Sequence, residues 1–289
     1  MKLSNAERAE VLTQALPYIQ KYNGKILVVK CGGNAMINDD LRSQVMEDIV
    51  LLTLIGVKIV LVHGGGPEMS DTMGKMGKKP EFVDGLRVTD RETVDIALMV
   101  LAGKINKTLV NLLQMNGGRA MGISGMDGRL IEARKKDERL GYVGEITDVN
   151  PKPIQDLLEK GYIPVVSTLG CDREGRTYNI NGDTAAARIA GALGAERMIM
   201  MTDIGGILED RDDPDSLIRT LSVYEAQQLE SRGVISGGMI PKVKCCIDAI
   251  EHGVKKVIIL DGRVPHATLI EILTDEGAGT MVYGGNKDD

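Results

Sequence analysis

The sequence predicts an α/β protein, a three-layer αβα sandwich around a mainly parallel central sheet. Two observations carry this prediction. Apolar, β-branched runs alternate with segments of helical periodicity, beginning with a strand, a helix and a second strand between residues 25 and 62. The two runs, KILVVK and VKIVLV, are largely uninterrupted by polar residues, which is typical of strands that helices cover on both faces.

The composition narrows the functional classes. The chain has 289 residues, which fits one large domain or two fused lobes. Because the formal net charge is -6 and only 3% of residues are aromatic, we expect neither a nucleic-acid surface nor a base-stacking platform. The four cysteines show no CxxC spacing, and no apolar run approaches the roughly 18–20 residues of a membrane span. The prediction is a soluble cytoplasmic protein with reduced thiols and no membrane partner.

The first element is a helix over residues 4–22. Ser4 and Glu7 have the spacing of a capping box, and an apolar stripe follows them. Pro17 lies inside the pattern and predicts a kink. Residues 1–24 precede the first strand and form a separate unit in this interpretation. Their apolar stripe can pack either on the same domain or on another subunit.

The core elements follow in order. Strands are predicted at 25–30, 57–62, 163–167, 197–202, 256–260 and 280–283. Helices are predicted at 41–55, 67–77, 90–115, 183–193, 222–232, 240–252 and 265–274. Residues 117–150 instead carry three short strand-like pieces, RAMGISG, RLIEARK and YVGEI, and predict a small, partly antiparallel insertion. We expect two lobes, 25–190 and 191–289, that share one sheet.

Several common catalytic motifs are absent from the sequence. It contains no GxxxxGK[ST] loop, no GxGxxG after a strand and no GxSxG elbow. The three histidines do not form HExxH, and the cysteines lack metal-ligand spacing. Covalent catalysis and zinc chemistry are therefore not expected.

Glycine-rich loops at predicted strand ends are the candidates for binding. Gly64, Gly65 and Gly66 stand between a strand and a helix that can begin with Pro67. Exposed backbone N–H groups and the helix dipole would form an anion cradle there, although a tight turn that needs positive φ is the simpler alternative. In a parallel sheet this edge is where ligands bind.

Two lysines accompany these loops. Lys30 ends the first strand, whereas Lys242 follows the glycine turn at 237–238. Asp183 opens a predicted helix, where it either contacts a ligand or serves only as the N-cap. Two anion cradles with two lysines suggest two anionic ligands, or a phosphoryl transfer from one to the other.

Six motifs in order carry a family resemblance that covers essentially the whole chain. They are VVKCGGNAM, VLVHGGGPE, DGLRVTD, YNINGDTAA, MTDIGGIL and GGMIPKV. With these motifs the chain resembles the amino acid kinase family and, within it, the branch that phosphorylates the γ-carboxylate of N-acetyl-L-glutamate in arginine biosynthesis. The alternatives are a relative with a different carboxylate acceptor and a non-catalytic relative that senses a ligand.

The resemblance implies a role for each matching residue. Lys30 and Lys242 would stabilise the transferring phosphoryl group, and Asp183 would hold the lysines. The residues implied in substrate binding are Gly65, Gly66, Arg87 and Asn179, of which the last two would bind the α-carboxylate. The residues implied at the nucleotide site are Asp203, Gly205, Gly206, Gly237 and Gly238. ATP would bring Mg²⁺ with it, without a protein ligand for the metal.

Two positions depart from the family pattern. Cys31 replaces a tyrosine or leucine, and we expect a small apolar filler there without a redox role. Gly182 replaces an alanine before Asp183, which would loosen the start of the helix.

The N-terminal helix and the segment TDEGAGTM near the C-terminus resemble the arginine-inhibited branch of the family. That resemblance implies a hexameric ring, a trimer of dimers interlaced by N-terminal helices, with L-arginine bound between this helix and the C-lobe. Glu276 and Gly279 are the candidates for touching arginine, although the segment can also be a simple turn before the last strand. A regulator of the PII type is a further partner that the resemblance allows.

Overall fold

The computed structural model describes residues 4–32, 38–210, 213 and 215–285. Within them the strands are, in chain order, β1 (Ile26–Cys31), β2 (Lys58–His63), β3 (Phe82–Val83), β4 (Leu86–Arg87), β5 (Ala120–Ser124), β6 (Ile131–Lys135), β7 (Gly144–Val149), β8 (Ile163–Ser167), β9 (Leu169–Cys171), β10 (Thr177–Asn179), β11 (Arg197–Thr202), β12 (Thr220–Ser222), β13 (Lys256–Asp261) and β14 (Thr280–Tyr283). The α-helices are α1 (Asn5–Gln14), α2 (Leu16–Tyr22), α3 (Asp39–Leu54), α4 (Gly66–Lys75), α5 (Arg91–Ala97), α6 (Asn106–Met115), α7 (Lys152–Glu159), α8 (Gly182–Ala192), α9 (Val223–Ser231), α10 (Met239–Glu251) and α11 (Ala267–Leu273).

The main sheet has eight strands in the order β12-β14-β13-β11-β1-β2-β8-β5. The pairs from β13 to β5 are parallel, whereas β13 and β14 are antiparallel. Successive residues of each central strand enter different cores. Leu27 and Val29 pack in one apolar cluster with α3 and α6, and Val28 packs in the other with α8 and α10. The predicted αβα sandwich with a mainly parallel sheet is confirmed.

The N-terminal helix breaks where the sequence predicted a kink. Ser4 and Glu7 form the capping box, with Glu7 N 3.2 Å from Ser4 Oγ. The helix stops at Ala15, and Pro17 lies in the first turn of α2, where its missing N–H leaves no hydrogen bond unmade. Leu12 and Leu16 of the apolar stripe stay exposed, the former by 74%.

The region 117–150 was only partly interpreted correctly. β6 and β7 do form an antiparallel pair, in a four-stranded sheet of order β10-β9-β6-β7. The piece RAMGISG, however, is β5, which pairs in parallel with β8 at the edge of the main sheet. The prediction was wrong for β5 because a five-residue strand between glycines carries no signal of which sheet it joins. The short strands β3, β4, β9, β10 and β12 and the helix α7 were not predicted.

The predicted helix at 90–115 is continuous but contains a π-helical segment, Leu98–Ile105, between α5 and α6. Arg91–Met115 is also long and apolar enough to cross a membrane by length and composition. The prediction concerned uninterrupted apolar runs, and Lys104 and Lys107 interrupt this segment. In the fold Leu109 and Leu113 of this helix are fully buried in the core, and α6 packs against β5 and α3. Its apolar character thus serves the interior of the protein.

Candidate active site

Predicted site residues from five separate parts of the chain line one cavity of about 270 Å³. The cavity lies where β1 and β2 end, at the edge of the sheet that the parallel topology designates for ligands. The predicted residues that line it are Lys30, Gly65, Gly66, Arg87, Asn179 and Asp183.

Lys30 and Asp183 form an ion pair in this cavity. Lys30 Nζ lies 2.8 Å from Asp183 Oδ1, and the two side chains are 12% and 23% exposed. A Cβ atom at Gly32 would stand 2.5 Å from Lys30 Nζ, so the glycine after the strand leaves the space that the ammonium occupies. Gly33, the second glycine of that turn, lies outside the described residues.

Asp183 is free for this ion pair because another residue caps α8. Asn181 Oδ1 accepts hydrogen bonds from the backbone N–H groups of Asp183 and Thr184, both at 3.0 Å. The alternative in which Asp183 is merely the N-cap is therefore wrong. Asn181 has the short polar side chain that N-caps require, and the sequence interpretation overlooked it.

The charge of Asp183 is stabilised by both predicted catalytic lysines. Burial raises the pKa of its carboxyl, but attraction to Lys30, a hydrogen bond from it and the charge of Lys242 together lower the pKa below the usual 3.8. Lys242 lies in the first turns of α10, which packs against α8. It does not line the 270 Å³ cavity itself, yet its charge acts on the same carboxylate.

The glycine turn after β2 packs against the side chains of the π-helical segment. A Cβ atom on Gly65 would stand 2.2 Å from Ile105 Cδ1 and 2.7 Å from Leu101 Cδ2, so the π-helical segment packs directly against the turn. His63 Nδ1 lies 2.9 Å from Gly64 O. Burial lowers the pKa of His63 to about 4, which keeps its ring neutral at neutral pH.

Asn106 connects this turn to two further strands. Its Nδ2 atom lies 3.2 Å from His63 Nε2, 3.2 Å from Ile123 O and 2.9 Å from Val165 O. The residue is fully buried at the end of the π-helical segment. One amide therefore connects β2, β5 and β8.

Arg87 presents a guanidinium to the cavity. Its Nη2 atom donates to Gly66 O and Ser70 Oγ, both at 2.9 Å, and its Cζ atom lies 4.8 Å from the centre of the Phe82 ring. The residue is only 8% exposed, and burial lowers the pKa of its guanidinium below the usual value. An arginine held in this way offers a planar, pre-oriented group to a carboxylate.

Asn179 reaches the same cavity from β10. Its Nδ2 atom donates to Thr89 Oγ1 at 3.3 Å, and its backbone N–H donates to Tyr142 O at 2.9 Å. Thr89 follows Arg87 by two residues, just after β4. The hydrogen bond to Thr89 therefore connects the Asn179 amide to the chain segment that carries Arg87.

Gly206 and Gly238 line a second, smaller cavity of about 120 Å³. Gly206 has φ of +146°, and a Cβ atom there would stand 2.5 Å from Thr280 Oγ1, so both backbone and space require glycine. Gly237 has φ of +54° in the turn before α10. Asp203, Gly205 and Gly237 do not line this cavity but flank it in the two loops that form it.

Comparisons with known proteins identify the family of this chain. The model of the amino acid kinase family matches residues 25–261. The chain is also 51% identical to the acetylglutamate kinase of Clostridium beijerinckii over 284 residues, which is 97% of this chain and all of that protein. The chain belongs to the acetylglutamate kinases of the amino acid kinase family. It is thus an enzyme of the kinase class.

Two solved structures show the same fold over most of the chain. Both are of N-acetylglutamate synthase from Neisseria gonorrhoeae, one complexed with coenzyme A and N-acetyl-glutamate and one with coenzyme A and L-arginine. The TM-scores are 0.84 and 0.78 at 28% and 27% identity. Each match covers at least 95% of this chain, but the chain spans only 64% and 65% of the length of those synthase chains.

A third cavity of this acetylglutamate kinase contains the predicted regulatory residues Glu276 and Gly279. It has a volume of about 190 Å³ and lies between α2 and the segment before β14, with Tyr18 and Lys21 on the helix side. A hydrogen bond to Asp275 raises the pKa of the Tyr18 hydroxyl. Helix α2 and the C-terminal segment therefore line opposite sides of this cavity.

No group of three or more histidine, cysteine or acidic side chains that could hold a metal occurs in the described parts of the chain. Cys31 is fully buried, and burial raises the pKa of its thiol to about 11, so it is an unreactive filler of the core. A Cβ atom at Gly182 would lie 3.6 Å from Lys30 Cε, an ordinary contact, so the fold has room for alanine there.

Sequence reasoning missed the residues that support the site. Ser70 and Phe82 hold Arg87, and Asn106 holds the glycine turn. Ser70 lies one helical turn after Gly66, which is the only sequence signal that it faces the same end of α4. Phe82 and Asn106 carry no local signal, since their partners are set by packing between distant segments.

Proposed function

We propose that the chain transfers the γ-phosphoryl group of ATP to the γ-carboxylate of N-acetyl-L-glutamate and so produces N-acetyl-L-glutamyl 5-phosphate for arginine biosynthesis. The observation that carries the proposal is the cavity that holds both the Lys30–Asp183 ion pair and the buried guanidinium of Arg87. Identity of 51% to a full-length acetylglutamate kinase supports the choice of acceptor.

The chemistry requires no general base. A γ-carboxyl group has a pKa of about 4.3 and is already ionised at pH 7. One of its oxygens attacks the γ-phosphorus of ATP, the bond from that phosphorus to the bridging oxygen breaks, and ADP leaves with the electron pair. The neutral, buried His63 is accordingly a structural group and not a proton acceptor.

The barrier lies in bringing one anion to another. In the proposal, Lys30 and Lys242 neutralise the charge on the oxygens of the transferring phosphoryl group, as positive groups do in other phosphoryl transfers. Asp183 orients Lys30 through the 2.8 Å ion pair. ATP enters as a substrate together with its Mg²⁺, and the loops that carry Asp203, Gly205 and Gly206 and then Gly237 and Gly238 would bind it.

The acceptor site follows from the shape and charge of the 270 Å³ cavity. Arg87 and Asn179 would bind the α-carboxylate, because a guanidinium and an amide offer N–H groups that match its two oxygens. Gly65 and Gly66 would let the substrate approach the backbone at the start of α4.

An ATP-dependent hydroxamate assay tests the acceptor by comparing N-acetyl-L-glutamate with glutamate and aspartate. We expect acyl phosphate from the first alone. Lys30→Ala and Lys242→Ala should each lower kcat by about 10²–10³ with an unchanged circular dichroism spectrum. Preference for another carboxylate would favour a different acceptor, and no turnover with any acceptor would favour the ligand-sensing alternative.

Regulation by L-arginine is the second part of the proposal. The proposal is supported by the cavity between α2 and the segment before β14, because the acidic residues Glu271, Asp275 and Glu276 line it. The similar synthase solved with coenzyme A and L-arginine adds support. The exposed Leu12 and Leu16 suit interlacing of N-terminal helices into a hexamer, a trimer of dimers.

Deletion of residues 1–22 tests this second part. We expect a smaller assembly by sedimentation and activity that no longer responds to arginine. An unchanged hexamer or unchanged inhibition would contradict it. Co-purification would show whether a PII-type protein binds.

We also propose a cytoplasmic location and the division into residues 1–24, an N-acetyl-L-glutamate lobe at 25–190 and an ATP lobe at 191–289.

A further inference from the structure

The motif DGLRVTD contains a buried hydroxyl to which the proposed mechanism gives no role. Thr89 is fully buried two residues after Arg87. Its Oγ1 atom donates to the carbonyl oxygen of Arg87 at 2.8 Å and accepts from Asn179 Nδ2 at 3.3 Å. One hydroxyl therefore joins two residues that are 92 positions apart in the chain and line the same cavity.

We infer that Thr89 is a positioning residue for recognition of the α-carboxylate, an inference that rests on the proposed function. The hydroxyl holds the backbone that carries Arg87 and orients the amide of Asn179. A hydroxyl can donate one hydrogen bond and accept others at the same time, which a methyl group of the same size cannot do. The two N–H-bearing groups are thereby set at a constant separation before substrate binds.

The backbone of Thr89 is fixed independently of its side chain. Its N–H donates to Leu140 O at 3.0 Å, and its carbonyl accepts from Tyr142 N. Tyr142 O in turn accepts from Asn179 N at 2.9 Å. Replacing the hydroxyl therefore leaves the main-chain ladder in place and removes only the link between the two cavity residues.

The loss of this link should weaken binding of one part of the substrate, the α-carboxylate. Without its acceptor, the Asn179 amide is free to rotate, and the Arg87 carbonyl loses a buried donor. The γ-carboxylate, at which the chemistry occurs, is served by Lys30 and Lys242 and not by this pair. The substitution should therefore change recognition of the α-carboxylate and leave the phosphoryl transfer step intact.

The test compares N-acetyl-L-glutamate with 4-acetamidobutanoate, which has the same acetamido group and reacting carboxylate but no α-carboxylate. In Thr89→Val we expect kcat/KM for N-acetyl-L-glutamate to fall about tenfold, mainly through KM, whereas kcat/KM for 4-acetamidobutanoate changes less than about twofold. Thr89→Ser, which keeps the hydroxyl, should restore the preference to within about threefold. The KM for ATP should stay constant in both variants.

Thr268→Val is the matched control. Thr268 is also fully buried, and its hydroxyl has no hydrogen-bond partner among the residues that the structure describes. This variant should retain the wild-type preference. Equal losses of Thr89→Val on both acceptors would indicate a merely structural role and overturn the inference, as would an unchanged preference.

Arg87→Met separates this inference from the proposed function. If the wild-type protein does not phosphorylate N-acetyl-L-glutamate, the proposed function fails. If it does but Arg87→Met keeps the preference for the α-carboxylate, the assignment of Arg87 is wrong. If Arg87→Met loses the preference and Thr89→Val keeps it, only the role of Thr89 is refuted.

Discussion

Replacement of Gly65 by alanine should damage the protein through steric overlap alone. The added Cβ atom would stand 2.2 Å from Ile105 Cδ1 and 2.7 Å from Leu101 Cδ2. Carbon atoms in contact lie about 3.5–4.0 Å apart, so the nearer pair is more than an ångström too close. Both side chains are at least 96% buried and have little room to move. Overpacking of this kind costs about 1–3 kcal/mol of unfolding free energy.

Differential scanning calorimetry measures the effect, with Gly66→Ala as the matched variant. A loss of about 2 kcal/mol lowers Tm by roughly 3 °C in a chain of 289 residues, because the unfolding entropy is about 2.1 cal/mol/K per residue. No described atom lies within 4 Å of a Cβ on Gly66, so that variant should melt within about 1 °C of the wild type. Gly65→Ala should also raise KM for N-acetyl-L-glutamate, because the displaced turn lines the cavity proposed to bind the acceptor. Equal Tm values for the two variants would refute the steric argument.

Three further substitutions test other parts of the site. Gly182→Ala should raise the unfolding free energy by about 0.4–1 kcal/mol in urea titration, because its Cβ meets only an ordinary 3.6 Å contact with Lys30; a lower midpoint would contradict this. Asn106→Leu should lower it by about 2–3 kcal/mol, since His63 and two strand carbonyls lose their donor, and an unchanged midpoint would rule out the tie. The folded-state pKa of Asp183 is depressed, so its contribution is complete above the unfolded pKa near 3.9 and is lost as pH falls through the folded pKa. Asp183→Asn should therefore flatten the loss of stability below about pH 4, and an unaltered acid limb would argue against the ion pair.

Local pattern predicted the ends of the six core strands to within one residue. Lys30 and Gly65 were recognised as neighbours because Lys30 lies near the end of β1 and Gly65 follows β2, and parallel strands bring their carboxyl ends to one edge of a sheet. The capping box at Ser4 and the break near Pro17 were also predicted correctly, since a helix end depends on residues within one turn. Most core helices and strands were therefore found, with small shifts at their ends.

The local sequence pattern did not predict which residues from distant parts of the chain contact each other. β5 pairs in parallel with β8 in the main sheet, and its local sequence does not indicate which strand it pairs with. The meeting of Thr89 with Asn179, and of Gly65 with the π-helical segment, likewise depends on how whole layers pack.

The sequence by itself thus determined the fold class, the edge of the sheet where the candidate site lies and most of the residues that line its cavity. Those features depend on the periodicity of apolar residues within each segment and on the glycines that directly follow the strands in the chain. The tertiary structure alone decided that Asn181, and not Asp183, caps α8, and so left the carboxylate to Lys30. It also brought Thr89 between Arg87 and Asn179, because contacts across the fold depend on the packing of the complete core and not on any one segment.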